Sequence, residues 1–257
     1  MPQAREATAA IPGILHKPGA LEFLNPAMMA MNTFEVDLPH DLIAELQVLV
    51  PELQRMDEAK RVGRLGNGVN LYVDRPKNWD SDIRWVSNAD EPAYRWFEGL
   101  FARSGLARLV APLVPHDHAI RLYAGSFVTR SDCNALDMHC DWTMEGNHAF
   151  ALMAPLTASA ADMGMTYVTI RGEMRQYAYR VGRGLVFGPQ FIHSTAVGRL
   201  DERAVFLCFN FGTDRMDHWA EISATTAKQG EFYCQPDGTF LTRAEWSARY
   251  GTPREDY

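Results

Sequence analysis

Closely spaced strand patterns between Ile120 and Phe211 constrain the fold more than any other feature of this sequence. From Ile120 the apolar residues alternate with a period of two and are rich in β-branched and aromatic types, as expected for half-buried strands. Turn signals such as Asp162-Met163-Gly164 and Gly182-Arg183-Gly184 separate the segments. Many short strands in succession predict a mainly β fold with a jelly-roll core. The predicted strands are residues 119–129, 149–156, 166–170, 174–181, 184–187, 192–197 and 203–211.

Helical patterns flank these strands. Residues 41–56 have apolar side chains at helical spacing, and Pro51 should kink or end that helix. A clearer helix begins at Asp90, a residue type suited to the N-cap, and extends towards Leu109. The sequence from Thr242 to Glu245 has the form of a capping box and predicts a short final helix.

The chain is predicted to form one domain with three parts. Residues 1–118 would form an irregular arm and a helical layer, with loops around a short strand at 69–73 in the Gly- and Pro-rich segment 64–84. Residues 119–212 would form the core, a cupin-like double-stranded β-helix, and residues 213–257 a C-terminal extension.

Composition excludes several classes of protein. The 257 residues are 47% apolar with a formal net charge of -7, which favours a globular fold and disfavours a nucleic-acid-binding protein. No run approaches the roughly 20 apolar residues that span a bilayer, and the N-terminus does not resemble a secretory signal. The four cysteines lack C-x-x-C spacing, as expected for reduced thiols. We therefore expect a cytoplasmic protein with a small-molecule partner and neither nucleic acid nor membrane; its oligomeric state stays open.

A candidate metal site combines three residues. His139 and Asp141 are two positions apart, so their side chains can point the same way and chelate one ion. His193 lies in a later predicted strand, where it shares a face with Thr195. Two imidazoles and one carboxylate suit a divalent iron with open coordination positions. A second cluster, His116-Asp117-His118, lies beside a proline before a strand and is better explained as a solvated turn.

Arg203 is a charged residue on a strand face that is otherwise apolar. It follows a predicted hairpin, residues 198–202, and shares a strand face with apolar Val205, Leu207 and Phe209. An arginine among inward-facing apolar neighbours is costly unless it meets an anion. The alternative is a structural salt bridge with a neighbouring carboxylate, Asp201 or Glu202.

The pattern formed by His139, Asp141, His193 and then Arg203 resembles the Fe(II)/2-oxoglutarate-dependent dioxygenase superfamily. The resemblance covers about residues 120–212. It implies that the first three residues bind Fe(II) and that Arg203, ten positions after the distal histidine, binds the far carboxylate of 2-oxoglutarate. It also implies oxidative decarboxylation of 2-oxoglutarate to succinate and CO2 with O2, coupled to oxidation of a substrate. Related halogenases have Gly or Ala at the position of Asp141, so its carboxylate favours hydroxylation over halogenation.

Other residues near the motif are candidates for ligand contacts. Tyr123 and Thr195 would join Arg203 in binding the co-substrate. The predicted substrate contacts come from the strand and loops around the metal motif: Arg130, Asn134, Trp142 and Asn147. Core packing is the alternative for Trp142, and turn formation is the alternative for Asn147.

The preferred function is a hydroxylase acting on a small polar metabolite. Arg130 and the polar loop after Asp141 would suit a polar or carboxylated substrate, such as an amino-acid-like one. The same site could instead perform desaturation, cyclisation or epimerisation, or act on a protein. A hypothesis from another class is a non-catalytic cupin-like metal-binding protein, which would not need an anchor for 2-oxoglutarate.

Overall fold

The computed structural model describes residues 14–15, 33–76, 80–169 and 172–251. Most of the predicted N-terminal arm therefore lies outside the described residues.

Fourteen described strands form two β-sheets and a hairpin, which confirms the mainly β prediction. The large antiparallel sheet has the order β1-β2-β10-β7-β12-β6-β5-β4-β3, and a small sheet has the order β11-β8-β9. The remaining pair, β13 and β14, forms a separate hairpin. The strands are β1 Ile14–Leu15, β2 Thr33–Asp37, β3 Val62–Arg64, β4 Asn70–Asp74, β5 Arg84–Asn88, β6 Arg121–Cys133, β7 Ala149–Pro155, β8 Met165–Val168, β9 Met174–Tyr177, β10 Arg183–Phe187, β11 His193–Thr195, β12 Gly198–Gly212, β13 Phe232–Cys234 and β14 Phe240–Thr242.

The sequence signals for two helix starts are confirmed. The Asp90 side chain accepts a hydrogen bond from the Ala93 N–H at 2.9 Å. The helix predicted to extend from Asp90 towards Leu109 is divided at Gly105, which has a φ of 73°. Thr242 and Glu245 form both bonds of a capping box. The α-helices are α1 His40–Gln47, α2 Val50–Gln54, α3 Glu91–Ser104, α4 Leu106–Val110, α5 Trp219–Gln229 and α6 Arg243–Tyr250, with 3-10 turns at Glu58–Lys60, Ala158–Ala161 and Met216–His218. None of the described helices is long and apolar enough to cross a membrane.

The central strands of the large sheet are buried on both faces. On β12, Val205, Leu207 and Phe209 pack with the N-terminal helices, as the 5.5 Å contact between the rings of Phe101 and Phe209 shows. The intervening residues, such as Ala204 and Phe206, belong to a second core shared with the small sheet. The helices therefore cover one side of the large sheet, and the space between the two sheets lies on the other.

Two predictions about the sheet edges need correction. Residues 198–202 are not a hairpin; they begin β12, where Arg199 pairs with Asp132 but Ala204 pairs with Arg130. The residues between them bulge opposite Ser131, because β12 has more residues here than its partner. Residues 64–84 were predicted to form loops around one strand. They contain the end of β3, all of β4 and the start of β5, so this segment extends the large sheet.

Candidate metal centre

The backbone brings the predicted metal ligands together. His139, in the extended segment after β6, and His193, the first residue of β11, form an isolated antiparallel bridge. Each N–H donates to the carbonyl oxygen of the other residue at 2.9 Å. The pairing fixes two residues that are 54 positions apart in the sequence and directs both rings into the space between the sheets.

The three side chains have the spacing of a chelating site. Nε2 of His139 lies 3.7 Å from Oδ1 of Asp141, and the centroids of the two imidazole rings are 4.7 Å apart. One ligand atom from each of His139, Asp141 and His193 lies within 4.8 Å of the others. A single ion can therefore contact all three side chains.

Backbone carbonyls fix the orientation of both rings. Nδ1 of His139 lies 2.7 Å from the Asp137 carbonyl oxygen, and Nδ1 of His193 lies 3.0 Å from the Phe191 carbonyl oxygen. A neutral ring that donates from Nδ1 leaves the lone pair of Nε2 for a metal ion. Phe187 and Phe191 pack beside the His193 ring and shield it from water.

Burial determines the electrostatics of the site. His193 is only 6% exposed, and burial, together with the nearby His139, lowers the pKa of its imidazole to about 3. Burial also raises the pKa of the Asp141 carboxyl, although His139 and Lys228 oppose this change. The site thus presents the neutral imidazole of His193 beside a carboxyl group that lacks solvation, and a bound cation would stabilise the ionised form of that carboxyl group.

Helix α5 supports the loop that carries Asp141. The Thr225 hydroxyl donates to the Asp141 carbonyl oxygen, and Nε1 of Trp142 donates to the Ile222 carbonyl oxygen at 3.3 Å. This helix was not predicted from the sequence, although Trp219, Ile222 and Thr226 follow helical spacing on its buried face.

A pocket opens in front of the three ligands, and two other predicted residues line it. Arg130 on β6 is 2% exposed, and its Nη1 donates to the Thr195 hydroxyl at 2.7 Å. Its Nη2 donates to the carbonyl oxygen of Met163 at 2.9 Å. Arg130 and Thr195 thus form a polar wall beside the candidate metal ligands.

The predicted position of Arg203 is wrong. It lies on the helix-covered side of β12, where Nη2 contacts Oδ2 of Asp82 at 2.5 Å and Nη1 donates to the Asp82 carbonyl oxygen at 3.0 Å. It does not line the pocket. Because β12 is buried on both faces, the apolar neighbours of Arg203 identified a buried face but not the face that carries the metal site. Its partner is Asp82 rather than Asp201 or Glu202.

Four other predicted contacts also lie outside the pocket lining. The Tyr123 hydroxyl donates to the Thr213 carbonyl oxygen at 2.7 Å, and its ring packs against Trp219. Nδ2 of Asn134 donates to Oδ1 of Asp80 at 2.9 Å on the surface. Trp142 is a core residue bonded to α5, and Asn147 lies in the loop before β7. Core packing, the alternative considered for Trp142 from the sequence, accounts for its position.

The sequence missed three polar or aromatic residues that line the pocket: Trp85 on β5, Asn210 on β12 and Gln229 at the end of α5. Nδ2 of Asn210 donates to Oε1 of Gln229 at 3.0 Å. Asn210 lies on the face of β12 opposite Arg203, and this is the face that borders the pocket.

The second histidine cluster forms a turn. The N–H groups of Asp117, His118 and Ala119 all donate to the Asp214 carboxylate, at 2.7 to 2.9 Å. These bonds lower the pKa of Asp214 to about 2 despite the opposing effect of desolvation. Within the described part of the chain, the only group of three potential ligands is His139, Asp141 and His193.

Comparison with known proteins identifies the fold. No protein-family model matches the chain, and no curated protein matches it. Among solved structures, the chain is similar to the non-heme alpha ketoglutarate dependent epimerase SnoN from nogalamycin biosynthesis, with a TM-score of 0.50 and 13% identity over 71% of this chain and 79% of SnoN. The carbocyclase SnoK from the same biosynthesis gives a TM-score of 0.50 and 10% identity over 71% and 80% of the two chains.

A third similar structure is AviO1 from Streptomyces viridochromogenes Tue57, with a TM-score of 0.50 and 15% identity over 70% of this chain and 89% of AviO1. At these identities the comparisons show the fold alone. They confirm the predicted jelly-roll core, which this chain shares with the non-heme alpha ketoglutarate dependent epimerase SnoN and carbocyclase SnoK.

Proposed function

We propose that this chain is an Fe(II)- and 2-oxoglutarate-dependent oxygenase that oxidises a small molecule. The observation that carries the proposal is the convergence of His139, Asp141 and His193, with one ligand atom of each within 4.8 Å of the others, in the wall of a pocket. The fold shared with SnoN and SnoK supports it.

The donor set fits ferrous iron. Two imidazole nitrogens and one carboxylate oxygen on one side of an octahedral ion form the facial arrangement of non-heme Fe(II) oxygenases and leave coordination positions open. His139, Asp141 and His193 would hold the ion. When bound, iron and 2-oxoglutarate supply O2 activation with release of succinate and CO2.

The surrounding residues maintain this arrangement. The carbonyl oxygens of Asp137 and Phe191 fix the orientation of the two rings through Nδ1, so His139 and His193 would need little reorganisation to hold an ion. Thr225 fixes the backbone of Asp141 from behind. Phe187 and Phe191 restrict the access of water to the ligand His193.

The rest of the pocket indicates the substrate class. Beyond the metal ligands and Arg130, its described polar side chains are neutral and include Ser126, Asn210 and Gln229, with Trp85 beside them. These groups suit a small polar molecule with hydroxyl or amide groups and an apolar part. Hydroxylation is preferred over halogenation because Asp141 supplies a carboxylate as the third ligand. Epimerisation and cyclisation are the alternatives, since SnoN and SnoK perform these reactions on the same fold.

The proposed activity can be measured without knowing the substrate. We expect the iron-loaded protein in air to release labelled CO2 from 2-oxoglutarate that is labelled at C1. We also expect one fraction of a metabolite extract to stimulate this release. His139→Ala should abolish it, whereas His118→Ala, a matched change in the exposed turn, should not. Stoichiometric iron binding with no decarboxylation in any fraction would instead support a non-catalytic metal-binding protein.

A further inference from the structure

Arg130 is a buried cation that pairs with no carboxylate among the residues that the structure describes. It is 2% exposed, and its contacts are all neutral: the Thr195 hydroxyl, the carbonyl oxygens of Met163 and Gly164, and the rings of Phe206 and Tyr179. Its Nε has no hydrogen-bond partner. Removing a guanidinium from water without a counter-ion is costly, so this position favours the binding of an anion.

The position of Arg130 relative to the candidate metal ligands suits a molecule that has a carboxylate at each end. Thr195, which accepts a hydrogen bond from Arg130, is two residues beyond His193 on β11. Two residues along a strand span about 6–7 Å, close to the length of a five-carbon diacid. Arg130 and His193 line the same pocket, so one such diacid can contact the metal with one end and the guanidinium with the other.

Arg203 is unavailable for this contact. Its guanidinium is neutralised by Asp82 and lies on the helix-covered side of β12. The next residue, Ala204, is buried in the core shared with the small sheet; it is 11 positions after His193 and pairs directly with Arg130 on β6. Paired residues on neighbouring strands are about 5 Å apart, so a guanidinium from either strand can reach the same part of the pocket.

We propose that Arg130 of β6, supported by the Thr195 hydroxyl, binds the C5 carboxylate of 2-oxoglutarate, with the small side chain of Ala204 leaving room for it. This assignment rests on the proposed function. It also implies that Arg130 is not available to bind the primary substrate, in contrast to the expectation from the sequence.

The test compares two ligands by anaerobic calorimetry on the iron-loaded protein. 2-Oxoglutarate and 2-oxopentanoate share the keto acid group that binds the metal, but only 2-oxoglutarate has the C5 carboxylate. We expect the native protein to prefer 2-oxoglutarate by about 30-fold or more. Arg130→Met should reduce this preference to about threefold or less, through loss of affinity for 2-oxoglutarate alone. Arg203→Met, the matched control, should keep the native preference.

Two further variants keep the assignment testable if Arg130→Met does not fold. Arg130→Lys retains the charge but cannot form two parallel bonds to a carboxylate, so the preference should fall to an intermediate value. The double variant Arg130→Ala with Ala204→Arg moves the guanidinium to the paired strand and should recover part of the preference. Iron content should be unchanged in both.

The outcomes separate the two proposals. The assignment of Arg130 would be overturned if Arg130→Met or Arg130→Lys kept the native preference for 2-oxoglutarate over 2-oxopentanoate. It would also be overturned if Arg203→Met lost that preference. Either result would leave the oxygenase proposal intact. If the native iron-loaded protein binds neither keto acid, the proposed function itself is wrong and the assignment fails with it.

Discussion

Replacing His193 with Ala is expected to weaken the binding of ferrous iron about 100-fold or more, equivalent to roughly 2.7 kcal/mol. The substitution removes one of three ligands, and the remaining two cannot hold a facial site at low iron concentration. The buried ring also packs against Phe187 and Phe191, so a modest loss of stability should accompany the loss of metal. Anaerobic equilibrium dialysis followed by iron analysis would measure the affinity.

The exposed turn provides the control for this experiment. His118→Ala also removes an imidazole, but from a turn in which the backbone N–H of His118 donates to Asp214. This variant should bind iron as tightly as the native protein does. Circular dichroism and a thermal melt of the metal-free proteins would separate metal loss from unfolding. Native iron affinity in His193→Ala, or loss of affinity in His118→Ala, would refute the ligand assignment.

Asp82→Asn is expected to cost about 2–3 kcal/mol of the free energy of unfolding. The carboxylate of Asp82 contacts Arg203 and accepts hydrogen bonds from the N–H of Asp132 and from the N–H and hydroxyl of Ser131. The side chains of Asp82 and Arg203 are only 18% and 15% exposed, so removing one charge leaves the other poorly solvated. We place the cost below that of a fully buried pair because some solvent reaches both groups. Denaturant titration would measure the change.

The pH dependence of this effect follows from the pKa of Asp82. Burial opposes ionisation, but the bonds from Ser131 and Asp132 and the charge of Arg203 together lower this pKa below its ordinary value. A lowered folded-state pKa gives stability that is fully present above the unfolded-state pKa, about 3.9, and is lost as the pH falls through the folded-state pKa. The difference between native protein and variant should therefore be largest near neutral pH and shrink in acid.

Two controls identify the interaction. Glu98→Gln breaks an exposed pair with Arg95 and should change the free energy of unfolding by less than about 0.5 kcal/mol. Adding Arg203→Met to Asp82→Asn removes the unpaired charge and should recover part of the lost stability. If Asp82→Asn is as stable as the native protein across the pH range, the pair is not a structural link between β12 and the segment before β5.

The sequence was most informative where local chemistry determines the structure. Asp90, Thr242 and Glu245 marked helix starts because their side chains bond to nearby backbone N–H groups. His139 and Asp141 could be placed together because they are two residues apart in an extended segment. Placing His193 beside them depended on resemblance to a family, since the backbone bridge between His139 and His193 leaves no local trace in the sequence.

The error at Arg203 has a specific physical cause. Alternation along β12 separated its faces correctly, but both faces are buried, one by helices and one by the small sheet. An alternating pattern identifies the buried side only when the other side meets solvent. The bulge before Ala204 arises because β12 has extra residues opposite Ser131. It was not predicted, because the sequence from Gly198 to Glu202 resembled a turn. Pairing with Asp82, 121 positions away, could not be inferred from local sequence.

The most direct test of the account is an anaerobic titration of 2-oxoglutarate into the ferrous protein, followed by visible absorbance. Chelation of protein-bound Fe(II) by the keto acid produces a metal-to-ligand charge-transfer band. The account predicts that this band appears, saturates at one equivalent per chain, and is absent from His193→Ala at the same iron concentration. Absence of the band from iron-loaded native protein, or an equal band in His193→Ala, would contradict a 2-oxoglutarate-dependent iron site at His139, Asp141 and His193.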